Sequence, residues 1–144
     1  MEMTYLRYRA WLKPTEKMHH VVGIEFLQNM FIKADKNADI VRLIILEGDY
    51  HDIKVMPKYV ELMMYSPLPD IDGELICESD IIEIQLEGGV FRSEVFYICG
   101  CFWFKDWNAD RLADQLLPLC DYASDCKIVG DVYRNENLLI EKYW

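Results

Sequence analysis

Seven residues near the middle of the chain, Pro67-Leu68-Pro69-Asp70-Ile71-Asp72-Gly73, constrain its fold more than any other stretch. Neither proline can donate an amide, so this segment cannot run as the central strand of a sheet. Asp and Gly beside them favour turns, the first through side-chain acceptors and the second through access to positive φ. The cluster is read as a boundary at 67–73. It separates an N-terminal β lobe over 1–66 from a second lobe over 74–144, the two forming either separate lobes or one compact unit.

On either side of that boundary the apolar residues recur mostly at period two. Tyr5, Arg7, Arg9 and Trp11 alternate with Leu6, Tyr8 and Ala10, which predicts a strand with an aromatic-basic face and an apolar face. Lys13-Pro14-Thr15-Glu16-Lys17 reads as a turn, and Met18 to Phe26 as the returning strand of a hairpin. Ile40 to Leu46 is β-branched and favours a buried strand, with a short helix as the alternative. Val60 to Tyr65 is a further short strand. In the second lobe Ile82, Ile84 and Leu86 alternate with Ile81, Glu83 and Gln85, and Glu87-Gly88-Gly89 supplies a hairpin turn. Val90 to Phe104 is long enough for two strands bending at Gly100. Leu112, Leu116 and Leu119 recur at helical spacing after the N-cap candidates Asp106 and Asn108, predicting one helix over about 107–118. Lys127 to Tyr133 is a last strand, followed by an amphipathic tail. The expectation is a mainly β protein whose second lobe is a small SH3-like, partly closed barrel, because closure removes exposed strand edges.

Charge narrows the functional classes. The chain carries a net charge of −10, and residues 61–96 alone hold nine acids against Arg92. Residues 1–17 lean the other way, with Arg7, Arg9, Lys13 and Lys17 against Glu2 and Glu16. Binding to phosphate backbones needs clustered Lys and Arg, so nucleic acid is disfavoured as a partner. A solvated acidic face accounts for the excess, and a surface that attracts basic proteins is the sharper reading. No apolar run approaches the roughly 20 residues of a membrane span. The first residues lack the layout of a signal peptide, so a cytoplasmic setting is expected.

Five cysteines (Cys77, Cys99, Cys101, Cys120, Cys126) are an odd number, and in a reducing compartment they are read as free thiols. Cys99 and Cys101 are placed on one side of a strand. With Cys120 and Cys126 they lack the Cys-x2-Cys spacing of a zinc knuckle, so no metal is expected. His19 and His20 point to opposite faces of a strand and cannot share a metal readily. A pairing of Cys77 with His51 has no motif behind it. Asp70, Asp72 and Glu74 invite a calcium reading, but Leu75 and Ile81 occupy the positions where an EF-hand needs Gly and Glu, so a plain Asp-x-Asp-Gly turn is preferred. Glu78 and Asp80 are the remaining acid–base candidates. Phe96, Tyr97, Phe102, Trp103, Phe104 and Trp107 form a dense aromatic cluster, read as core or subunit interface rather than as a base-stacking platform. The candidate binding patch is Tyr5, Arg7, Arg9 and Trp11, with no catalytic residue, cofactor or metal assigned.

Three blocks resemble the YopX-like family of phage and prophage proteins: Arg9-Ala10-Trp11 with Lys17-Met18; Leu62-Met63, Tyr65, Asp70, Gly73 and Asp80-Ile81-Ile82; and Ile128-Val129-Gly130-Asp131-Val132-Tyr133 with Asn135 and Leu138-Leu139. The family's Tyr-Thr-Gly-Leu stands here as Tyr65-Ser66-Pro67-Leu68, and its Glu-Gly-Asp as Glu78-Ser79-Asp80. The resemblance implies a mainly β fold with a small barrel, and a phage or prophage origin. It carries no catalytic residues. The expected function is a non-enzymatic accessory protein acting as a protein-binding or assembly module, with a protein partner and/or as a homo-oligomer. The alternative is a nucleic-acid-binding regulator on a small β-barrel.

Overall fold

The computed structural model describes residues 7–26, 40–47, 51–86, 88–106 and 115–140. The chain is mainly β. Two compact units are present, one over residues 5–64 and the other over residues 65–144.

The first unit is an antiparallel sheet in the order β4-β3-β2-β1-β5, with β1 at Tyr8–Leu12, β2 at Lys17–Phe26, β3 at Ile40–Glu47, β4 at His51–Val55 and β5 beginning at Val60. The expected hairpin forms, with Tyr8 opposite Val21 and Leu12 opposite Lys17. Directly opposed residues share a face, so period two sorts the side chains. Ala10 stands opposite Leu62 and Leu12 opposite Val60. Buried Ala10 and Val60 then form a core with Leu12, Val21, Ile24, Val55 and Leu62. This is the apolar face read from the alternation at Tyr8 and Ala10. Residues 40–47 take the strand rather than the helix alternative.

β5 runs from Val60 to Pro69, leaving the first unit at Met64 and continuing into the second. Both prolines are thus inside a strand, at the start of the segment 67–73 read as a turn-rich boundary. Donor loss is tolerated because, among the described residues, β1 pairs with Val60 to Met64 and not with the prolines. Beyond them β6 (Leu75–Cys77) meets β5 at Tyr65 and Pro69 alone, with an irregularity between.

The second unit holds two three-stranded antiparallel sheets. One has the order β12-β7-β8, from Cys126–Asp131, Asp80–Leu86 and Gly89–Glu94; the other is β11-β10-β9, from Gln115–Pro118, Cys101–Asp106 and Phe96–Ile98. No closed barrel forms among the described residues. The sheets meet where Ser93 Oγ on β8 accepts the Lys105 N–H of β10 at 2.9 Å. Ile82, Ile84, Phe104, Leu119, Ala123 and Cys126 fill the core between them, with Phe102, Leu117 and Ile128 packed against it. Val90 to Phe104 gives three strands rather than two, because the chain breaks at Val95, whose N–H and C=O bond to Asp80 and Ser79.

The helix expected over about 107–118 is also corrected. Residues 115–118 are β11, paired with Asp106 to Trp103 of β10. Leu116 and Leu119 had suggested helical spacing, yet Leu117 and Leu119 are the residues directed to the core. Pro118 ends an edge strand, where its missing donor matters least. Residues 107–114 lie outside the described residues. Among the described residues the α-helix is α1, Asn137–Ile140, and no helix is long and apolar enough to cross a membrane.

Ser79, in the 77–80 turn, has a φ of +70°. A side chain in the left-handed region costs about 1 kcal/mol relative to glycine. Ser79→Gly should raise the unfolding free energy by about 1 kcal/mol, read as a shift in urea midpoint at unchanged slope.

Candidate functional site

The patch proposed from the sequence is only partly a surface. Tyr5 lies outside the described residues. Arg7 is exposed ahead of β1, Arg9 is buried at 7% exposure, and Trp11 is half-buried. Arg9 faces His20 and Met63 across the sheet, and Trp11 faces Met18 and Glu61. Lys13, in the following turn, pairs with Glu61 at 3.1 Å on the open surface. His19 and His20 fall on opposite faces as strand geometry requires. His51 begins β4, while Cys77 ends β6 in the other unit.

The acidic candidates of the second unit are occupied by its own backbone. Asp70 is buried, its Oδ1 accepting the amides of Asp72 and Glu74 at 2.9 Å each and its Oδ2 that of Ile128 at 3.1 Å. Ile71 N–H adds a bond to Cys126 C=O. The 70–74 turn, with Gly73 at φ +86°, is therefore pinned to β12. Asp80, also buried, accepts the Cys77 amide through Oδ2 at 2.7 Å and closes the 77–80 turn. Asp131 is the third of the kind. Its Oδ1 accepts the amides of Tyr133 and Arg134, and its Oδ2 is paired with the Arg134 guanidinium. Backbone amides bonded to a carboxylate are strong anchors, so these side chains hold turns.

Glu94 was not singled out by sequence. Burial pushes its carboxyl pKa up from the ordinary value; Lys105 opposes the shift and Glu78 adds to it. A glutamate at the last position of a strand carries no sequence signal for this. Only the fold, which brings Glu78, Glu94 and Lys105 into one neighbourhood, reveals it.

The aromatic cluster divides by strand parity. Trp103 is opposed by Phe96 on one side and Pro118 on the other, Cys101 by Ile98, and Lys105 by Leu116. These share the outer face of the β11-β10-β9 sheet. Phe104 with Leu117, and Phe102 with Tyr97, occupy the core face. The Tyr97 and Phe102 ring centroids are 4.8 Å apart, and Phe104 meets Tyr122 edge-on at 5.4 Å. Period two assigns the described members of this cluster to different faces.

The thiols divide too. Cys99, at φ +52°, and Gly100, at φ +81°, form the two-residue turn between β9 and β10, so Cys99 is a turn residue and not a strand residue. Cys99, Cys101 and Cys120 are exposed, while Cys77 and Cys126 are buried. Burial first, then Asp125 and Asp70, push the Cys126 thiol up to about 12 from 9.0, and its Sγ bonds to Tyr122 C=O at 3.2 Å. A raised folded-state pKa favours the protonated form. The stabilisation it gives is intact below pH 9 and is lost as pH rises toward about 12. Native protein at pH 8 should therefore release colour from an aromatic disulfide reagent for Cys99, Cys101 and Cys120 only. Cys77 and Cys126 should follow on denaturation; fast reaction of both in the native state would contradict the burial.

The family model described as YopX protein matches residues 7–140. The chain belongs to the YopX family. Among solved structures, protein EF1440 from Enterococcus faecalis aligns with a TM-score of 0.58 at 15% identity, covering 95% of this chain and 99% of that one. Protein YopX from Bacillus subtilis aligns with a TM-score of 0.57 at 24% identity, covering 92% of this chain and 97% of that one. At such identities the likeness is one of fold. No curated protein matches the chain. Asp70, Gly73, Asp80, Gly130, Asp131 and Asn135, which carry part of the resemblance, are turn and close-approach residues in this structure. In this chain they hold turns of the scaffold.

Proposed function

We propose that this YopX-family protein is a non-enzymatic phage or prophage accessory protein that works in the host cytoplasm as a protein-binding or assembly module. The observation that carries this reading is the partition of charge between the two units. Residues 1–64 hold nine acids and nine bases, whereas residues 65–144 hold sixteen acids and six bases. A net charge of −10 therefore lies within residues 65–144. Such a field speeds encounter with basic partners and repels polyanions. The buried aspartates support a non-catalytic reading, since Asp70 and Asp131 use both carboxylate oxygens on the fold itself and Asp80 Oδ2 does the same. Three exposed thiols suit a reducing compartment.

The test is capture of host-lysate protein on the tagged chain, with and without nuclease, at low and high salt. A protein retained after nuclease and released by salt is the expected result. Recovery that disappears with nuclease would overturn it in favour of a nucleic-acid regulator and send attention to Arg7. Self-assembly, the other form of the same reading, would appear in sedimentation as a mass above that of the monomer.

A further inference from the structure

We propose that the outer face of the β11-β10-β9 sheet is the docking surface for a basic, amphipathic protein segment; this rests on the protein-binding reading above and names its surface. An antiparallel sheet with one face on the core ordinarily turns a polar face to water. Here the core face is already filled by Tyr97, Phe102, Phe104 and Leu117. The opposite face nevertheless carries Phe96, Trp103 and Pro118 as one row across three strands, with Ile98 and Cys101 at one end and Leu116 with Lys105 at the other. Ile98 is 43% exposed and Cys101 is exposed. Neither edge of the aromatic row is left to chance. The Trp103 indole N–H donates to Ile98 C=O at 3.2 Å, and Lys105 Nζ lies 5.6 Å from the Phe96 ring centroid. Pre-set aromatic and apolar side chains of this kind characterise the centre of an interface.

Charge complementarity selects the occupant. Lys105 of this sheet and Glu78 each act on the charge of Glu94, at the end of β8. The surrounding unit has sixteen acids against six bases. A second copy of the same unit would set like charge against like, and single-stranded nucleic acid would meet the same repulsion through its phosphates. A segment that alternates apolar residues with Lys or Arg satisfies both the face and the acids near its Lys105 end. Its cations also gain from the aromatic rings.

The experiment is fluorescence anisotropy with a short labelled peptide alternating lysine and valine, its glutamate–valine counterpart, and labelled oligothymidylate. Ile98→Lys and Cys101→Lys each place a cation on the face at an exposed position. Asp72→Lys, on the exposed 70–74 turn, is the charge control. The lysine–valine peptide should bind the natural chain, and either face variant should weaken it by about tenfold or more, well beyond the control. Equal weakening by all three would show diffuse attraction and overturn the assignment. So would preference for the glutamate peptide or for oligothymidylate. Lysate capture repeated with Ile98→Lys separates the two readings. A partner held equally by natural and variant chains keeps the protein-binding function and removes this surface, whereas a partner held by neither removes both.

Discussion

Asp70→Ala should lower the unfolding free energy by about 4 kcal/mol, an effect of the size expected for truncating a core aromatic. The aspartate is 6% exposed and accepts three backbone amides, two within its own turn and one from Ile128, fifty-eight residues away in sequence. Removing it leaves three donors to find partners where the side chain had excluded water. Each such loss costs about 1–3 kcal/mol, with partial rehydration at Asp72 and Glu74 because both are exposed. Asp70→Asn is the informative companion. One oxygen can still serve the local pair, but the amide nitrogen would confront the Ile128 N–H, so about half the loss should return. Urea unfolding of the three proteins reads the order directly. Equal stability of natural chain and Asp70→Ala would show that the turn is not anchored as described.

Gly130→Ala should cost about 3 kcal/mol, for a reason unrelated to backbone freedom. A Cβ placed on Gly130 would meet Asn135 Oδ1 at 2.5 Å and its Cβ and Cγ at 2.7 Å. Asn135 cannot simply swing away, because its Oδ1 accepts the Asp131 amide at 3.2 Å and its own N–H bonds to Asp131 C=O. One methyl group therefore displaces the side chain that closes the 131–135 turn. Asn135→Gly in the same background removes all three clashing atoms. The double variant should be more stable than the sum of the two single effects predicts, and strict additivity in denaturant titrations would refute the steric account.

How far the sequence was legible depends on whether a signal was local. Period-two alternation at Tyr8 to Leu12 and at Ile82 to Leu86 located strands and their buried faces, because one register satisfies both sides of the sheet. The Asp70–Gly73 turn was legible for the same reason: its bonds close within five residues. The attachment of Asp70 to Ile128 was not, since nothing local announces a partner on a distant strand. Leu116, Leu117 and Leu119 fit a helix by spacing and a strand by parity, and the pairing of β11 with β10 decided between them. The aromatic cluster was visible as composition, but its division into a core row and an outer row needed the register. Arg9 was chosen for its chemistry, and its burial depends on neighbours that sequence spacing does not reveal.

The meeting of the two sheets through Ser93 has a consequence for how the second unit opens. Backbone ladders hold β12-β7-β8 and β11-β10-β9 together internally, while the bond described between β8 and β10 runs through one hydroxyl. Separating the sheets breaks that bond and apolar contact but no ladder, so each sheet can act as its own cooperative unit of local unfolding. The Lys105 amide, protected by a side chain rather than a neighbouring strand, is the natural reporter of that opening in hydrogen exchange.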